Sequence, residues 1–188
     1  MGYSQWKIMT IYVAFIRGIN VGGRNLLKMQ EVCQRFSAFG LSNVSSYKAS
    51  GNILFETDMK TDDTMSKAKE ELREMSGREL EVFLRTSSDI REIIELHPFK
   101  GRDADLSKLY VTFLSNKPTD EVKLPLWSRN EDVEIFLSRG GEVFSQSFLH
   151  RGRYGAPNKI VENEFEVPAT TRNWNTIRGI HDKIIQDY

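Results

Sequence analysis

Ile11-Tyr12-Val13-Ala14-Phe15-Ile16 is an unbroken apolar run rich in β-branched and aromatic side chains. A run this short, bounded by a glycine-containing loop, predicts a buried strand. Met29, Val32, Cys33 and Phe36 then recur at i, i+3, i+4 and i+7, the spacing of a helix with one apolar stripe, and Gly40 is placed to end it. Val44–Tyr47 and Ile53–Phe55 flank Ala49-Ser50-Gly51-Asn52, which predicts a hairpin whose glycine takes the unusual backbone angle. Thr61-Asp62-Asp63 predicts a helix start, with a capping hydroxyl and acids in the positive first turn. Met65, Ala68, Leu72 and Met75 supply the buried face of that helix as far as Gly77, and Leu80–Leu84 predicts the next strand. Strand, helix, strand, strand, helix, strand is the order of the ferredoxin-like, or split βαβ, arrangement.

Ser87-Ser88-Asp89 opens a short helix with Ile90, Ile93 and Ile94 on one face, and His97-Pro98-Phe99 ends it, because a residue before proline is kept out of the helical region. Gly101–Ser107 is polar and reads as a join. Beyond it the first pattern returns. Leu109–Leu114 matches Ile11–Ile16 position for position 98 residues later, and Gly141, after the strand-like Val133–Leu137, follows Gly51 by 90. This predicts an α+β fold of two ferredoxin-like halves from an internal duplication, 10–86 and 108–188, joined by 87–107, with a C-terminal helical extension. Residues 1–9 fall outside the pattern as a leader. The first helix of the second half is its weak point, since Pro118–Pro125 can supply only about two turns. A helical pattern runs through Ile160 and Val161. A final helix is expected with Trp174, Ile177 and Ile180 inward and Thr170 or Thr171 as its N-cap.

Totals narrow the function classes. Lys and Arg number 26 and Asp and Glu 26, so bulk charge does not hold the chain on nucleic acid, whereas a local basic patch is compatible. The single cysteine, Cys33, excludes an intramolecular disulfide framework and a four-thiolate zinc site, and its place in an apolar stripe reads as core. None of the three histidines has a His-x-x-x-His neighbour, so neither a metal site nor a cofactor is expected. No apolar stretch is long enough to cross a membrane and the N-terminus lacks the apolar core of a secretory signal, which makes a cytoplasmic location the default, without a membrane partner. No pattern sets an oligomeric state.

Candidate chemistry gathers in four places. The loop after the first strand contains Arg17, Gly18, Asn20, Gly22, Gly23, Arg24 and Asn25. A strand-to-helix junction of this kind can collect backbone N–H groups and two guanidiniums around a phosphate or carboxylate. It also reads as a tight turn with Asn25 as helix cap. Three glycines with two arginines exceed what a turn needs, which favours the anion site. Ser50 and Asn52 read first as turn chemistry, since no histidine adjoins Ser50 to activate it. His150 lies beside Arg151 and Arg153 and is the functional candidate among the histidines. Thr171, Arg172, Asn173 and Asn175 fit a helix N-terminus that either holds an anion or is solvated around a core Trp174. Arg17–Gln30, Ser147–Val161 and Pro168–His181 contain basic residues and no acid, while acids concentrate between Glu56 and Glu95. A neutral total therefore accommodates one basic and one acidic face.

Tyr12 to Asn25 together with Met29 resembles the opening motif of the DUF1697 family of bacterial proteins. Tyr47-x-x-Ser50-Gly51-Asn52-Ile53-x-Phe55 is similar to its second motif and Thr170–Thr176 to its third. Lys48-Ala49 departs from the family, which more often has an Ile/Leu-Gln pair there. The resemblance spans roughly Thr10 to Ile180 in three ordered motifs. It implies an α+β fold of two ferredoxin-like halves and brings no assigned activity or catalytic residue.

The leading expectation is therefore binding of a phosphate-bearing ligand, a nucleotide or nucleic-acid backbone, on a basic face that includes the glycine loop. RNA is the weaker form of this reading, because the aromatic-rich RNP1 pattern of ferredoxin-like RNA binders is missing. The alternatives are an enzyme acting on a small anion, with Arg17, Arg172 and Asn173 positioning charge and His150 moving protons, or a scaffold pairing a protein partner along exposed sheet edges.

Overall fold

The computed structural model describes residues 8–19, 27–118 and 121–188. These form an α+β protein with antiparallel sheets, divided into two compact units: residues up to Asp89 with the terminal Tyr188, and Ile90–Asp187.

The first unit runs β1 (Thr10–Ile16), α1 (Met29–Ala38), β2 (Ser42–Ser46), β3 (Asn52–Thr57), α2 (Thr61–Ser76) and β4 (Val82–Thr86). Its sheet has the order β2-β3-β1-β4. Side chains alternate across β1, so Tyr12, Ala14 and Ile16 join Val32 and Phe36 of α1 and Ala68 and Leu72 of α2 in one core. Val13 and Phe15 project to the other face and are buried as well, which explains why β1 reads as a continuous apolar run rather than an alternating one. Phe55 stacks on Tyr12 at 5.8 Å and meets the Phe36 ring edge-on at 6.1 Å.

Two details of this unit differ from expectation. Thr61 does not cap α2. Lys60 holds the N-cap position, and the Thr61 hydroxyl instead hydrogen-bonds the Tyr12 hydroxyl at 2.9 Å, tying the helix to β1. The fourth strand covers Val82–Thr86, because Arg85 and Thr86 pair with Val13 and Tyr12 despite their polarity.

α3 (Ser87–Glu95) begins in the last residues of the first unit and runs into the second, which continues with β5 (Ser107–Leu114), β6 (Leu126–Trp127), β7 (Val133–Arg139), β8 (Glu142–His150), β9 (Arg153–Tyr154), α4 (Pro157–Phe165), β10 (Ala169–Asn173) and α5 (Trp174–Asp187). The order is β10-β5-β8-β7-β6, with β9 paired to the end of β8. Leu114, Val133, Ile135, Val143, Val161 and Phe165 form the core beneath α4. Elsewhere in the unit Phe99 lies among the rings of Phe136, Phe144 and Trp174, at 5.7, 6.0 and 5.0 Å.

The expected short helix between Pro118 and Pro125 is not formed among the described residues, where two prolines leave too little chain for stable turns. Ala169–Asn173 is a strand rather than the approach to a helix cap. Thr170 and Thr171 are β-branched, suit an extended backbone and pair with Phe113 and Thr112. The helix begins at Trp174. Its first turn receives the Asn173 side chain, whose Oδ1 accepts from the Asn175 N–H at 2.9 Å, so Asn173 does the work assigned to a threonine.

The registers of the two sheets run in step. Ala14 of β1 lies opposite Ile53 and Leu84, and Thr112 of β5 lies opposite Val143 and Thr171. The Ile16 N–H donates to the Gly51 carbonyl at 2.8 Å, and the Leu114 N–H to the Gly141 carbonyl at 2.8 Å. Among the described residues no helix is long and apolar enough to cross a membrane.

Candidate functional site

The first unit uses its candidate polar residues internally where they are described. The Arg17 guanidinium pairs with Glu81 at 3.0 Å, its backbone N–H donates to the Glu81 carbonyl, and the Gly18 carbonyl accepts from Arg78 at 2.7 Å. A guanidinium already on a carboxylate is a poorer anion receptor than the sequence suggests. Asn20, Gly22, Gly23, Arg24 and Asn25 lie outside the described residues. Asn52 is fully buried and donates to the Tyr47 carbonyl at 2.9 Å and to the Ser50 hydroxyl at 3.0 Å, so both residues stabilise the hairpin. Cys33 is half-buried, and burial pushes its thiol up against a weaker lowering by a hydrogen bond with Ser46.

In the second unit the candidates separate. The Thr171 hydroxyl bonds Thr112 at 2.8 Å and Asn158 at 3.0 Å, linking α4 to the sheet. Arg172 is buried, donates to the Thr170 hydroxyl and the Thr171 carbonyl, and has its pKa lowered by burial to about 10, which leaves it charged at neutral pH. His150, Arg151 and Arg153 stand exposed on the β8–β9 turn, where Arg151 and Gly152 take positive φ. Arg172 lies opposite Val111, which lies opposite Phe144, and His150 is six residues further along β8. Six strand residues span about 20 Å, so His150 and Arg172 do not share one proton-transfer site.

The second unit instead contains a cleft of about 540 Å³. Its apolar wall is Phe99, Leu109 and Trp174, and its polar wall is His97, Lys100, Ser107, Asn173, Asn175 and Arg178. Asn173 and Asn175 are sequence candidates. Three separate elements bring the remainder. His97 and Lys100 lie in the turn after α3, where the His97 carbonyl accepts from the Lys100 N–H at 3.0 Å and His97 has φ +48°. Ser107 and Leu109 open β5. Arg178 stands one turn beyond Trp174 on α5, so the two share a helix face. The lining includes two permanent cations, a histidine and the first turn of a helix, and no acid. Such a wall attracts an anion, while the partly exposed Trp174, backed by the buried Phe99, offers ring surface.

A second polar cluster fixes the turn that bears His97 and Lys100. Arg102 donates to Glu134 and to the Gln146 side chain, both at 2.6 Å, with its guanidinium 3.4 Å from the centre of the Phe136 ring. The Gln146 amide in turn donates to the Ser107 hydroxyl at 2.7 Å. Sequence reasoning missed His97, Phe99, Lys100, Ser107, Leu109 and Arg178. Arg178 was within reach, since it lies in the acid-free stretch Pro168–His181. In the sequence His97, placed before Pro98, signals only a helix end.

A family model described as a protein of unknown function, DUF1697, matches residues 9–144. The chain belongs to the DUF1697 family. The DUF1697 match covers the first two sequence motifs and ends before the third, Thr170–Thr176, where the cleft residues Asn173 and Asn175 lie. A conserved bacterial protein, SP0830, from Streptococcus pneumoniae has a similar solved structure. It shares 24% identity over 93% of this chain and 98% of its own, with a TM-score of 0.67. That likeness shows that a DUF1697 chain and SP0830 share a fold. No curated protein matches the chain. Among the described residues no group of three or more His, Cys, Asp or Glu is arranged to hold a metal ion.

Proposed function

We propose that the protein binds a phosphate-bearing ligand in the cleft between the turn after α3 and the first turn of α5. The observation that carries this reading is the lining: Lys100, Arg178 and His97 face a space walled by Trp174 and Phe99, with no carboxylate among them. A phosphate gains from the two cations and the helix start, and an attached base or other flat group gains from the Trp174 ring. The glycine loop belongs to the first unit and is no part of this cleft. Catalysis is not required by the proposal.

Two further elements belong to the same reading. The matched strand orders, β2-β3-β1-β4 and β7-β8-β5-β10, and the stepwise agreement of their registers support two ferredoxin-like halves from one duplicated unit. In the second half the proline-containing segment stands where α1 stands in the first. The half-buried Cys33 suits a reducing, cytoplasmic setting, and the SP0830 likeness suits a bacterial source.

Titration calorimetry with 5′-dAMP and with inorganic phosphate tests the proposal. Arg178→Ala is expected to weaken 5′-dAMP about 10- to 100-fold, the scale of a lost charge-assisted hydrogen bond. Unchanged affinity in that variant, or no binding by the parent protein at low salt, would remove the cleft as the site.

A further inference from the structure

We infer that the phosphate-bearing ligand is a single-stranded nucleic acid, held by a base stacked on Trp127 beside the cleft. The inference rests on the reading of the cleft as a phosphate site and names the class of ligand it takes.

Trp127 sits on β6, the last strand of its sheet, and is 47% exposed. Its ring lies nearly parallel to Phe148, 5.8 Å away with 19° between planes, and the two border a hollow of about 420 Å³ together with Glu131. An exposed tryptophan backed by a second ring is a rigid stacking surface for a planar group.

Phe148 pairs directly with Ser107, which lines the cleft. Cross-strand partners project from the same face of a sheet, so the aromatic pair and the cleft are neighbours on one surface. Continuing along β8, His150 is again on that face, opposite Arg153. Arg151 and Arg153 are exposed, and Ser147–Val161 contains no acid.

The distribution of charge separates base from backbone. The hollow has no cation, and its one charged residue, Glu131, repels phosphate and accepts hydrogen bonds from base amino groups. The neighbouring acids are engaged elsewhere: Glu134 with Arg102, and Asp132 with the Ser128 hydroxyl at 2.6 Å. The basic β8–β9 turn and the cleft flank the hollow and suit the phosphates on either side. A base in a duplex cannot lie on Trp127 without being unstacked, which selects single strands. An apolar protein partner or a second copy of the chain would also cover the rings, but neither accounts for the acid-free basic turn beside them.

The test compares octadeoxyadenylate, a longer GC-rich hairpin duplex that stays paired at low salt, and 5′-dAMP at low salt, by anisotropy for the oligomers and calorimetry for the mononucleotide. The single strand should bind more tightly than 5′-dAMP or the duplex. Trp127→Ala should lose about tenfold or more for the octamer while leaving 5′-dAMP unchanged, and Trp127→Phe should keep most of the affinity. Arg151→Ala with Arg153→Ala should flatten the salt dependence of octamer binding by about 1.4 units of log–log slope, about 0.7 for each phosphate contact on a single strand. Equal octamer binding by Trp127→Ala, or a duplex bound as well as the single strand, overturns the inference. The cleft reading then stands on its own if Arg178→Ala still weakens 5′-dAMP. A Trp127-dependent dimer in sedimentation without octamer binding also overturns it. Should the octamer depend on Trp127 while nothing depends on Arg178, the strand is bound but the cleft is not its phosphate site. Circular dichroism of each variant checks that it is folded.

Discussion

Arg102→Ala is expected to lower the unfolding free energy by about 3 kcal/mol or more, far beyond the cost of an exposed ion pair. The Arg102 and Glu134 side chains are only 25% and 15% exposed, and the guanidinium supports three groups at once: the Glu134 carboxylate, the Gln146 carbonyl and the Phe136 ring. Removing it leaves a half-buried carboxylate and an amide oxygen without their donor and strips one face of a ring. The measurement is the urea midpoint of Arg102→Ala against that of Arg102→Met combined with Glu134→Leu. The double variant should recover much of the loss, because it removes both charges and refills the volume. A single variant within about 1 kcal/mol of the parent would show that the cluster is no more than a surface pair. The same substitution should loosen the turn bearing His97 and Lys100, since Arg102 anchors it to β7 and β8 and Gln146 passes the anchor on to Ser107. Binding of 5′-dAMP should therefore weaken even at temperatures where the variant remains folded.

This cluster also shows where sequence reading stops. Strands whose two faces are both buried were legible, because β1 and β5 are apolar runs that only a covered sheet explains. Helices with a stripe and a glycine stop, such as Met29–Ala38 and Thr61–Ser76, were legible to within about three residues at their ends. The edge strand Ala169–Asn173 was not. Its polar Thr-Thr-Arg-Asn looks like the mouth of a helix, and only pairing with β5 makes it extended. The cleft was half legible for a related reason. Asn173, Asn175 and Arg178 share one acid-free segment, but Lys100 and Ser107 arrive from a turn and a strand end roughly seventy residues earlier in the chain. No periodicity links those segments. Their meeting depends on the placement of β10 and α5 against β5, a matter of register rather than of local composition. Arg102, Glu134 and Gln146 are likewise three unremarkable polar residues until β7 and β8 align them.

Gly51→Ala is expected to cost about 2–4 kcal/mol, and Gly18→Ala only about 1 kcal/mol. Both glycines have positive φ, +73° and +66°, so both substitutions incur the left-handed backbone penalty of an L-residue. The space around them differs. A Cβ on Gly18 meets nothing within 4 Å, whereas one on Gly51 would lie 2.4 Å from the Ile19 Cγ2 and 3.1 Å from the Ile16 carbonyl oxygen. Ile19 is buried, and its branched methyl cannot swing clear as the end of a long side chain could. The carbonyl is held in place by the ladder of β1, and the adjoining Ile16 N–H is bonded to Gly51 itself at 2.8 Å. The difference between the two variants in denaturant midpoint thus isolates the steric part of the Gly51 requirement from its conformational part. Equal losses would mean that the hairpin shifts to make room, and that the Ser50-Gly51-Asn52 turn is not locked against β1. A larger loss at Gly51 would give that motif a structural reason for its residues: Gly51 lets the hairpin close onto the strand that leads into the glycine loop, and Asn52 fastens it by donating to Tyr47 and Ser50. It would also separate this turn from ligand chemistry, since Gly51→Ala should change 5′-dAMP binding only in proportion to the fraction of protein unfolded.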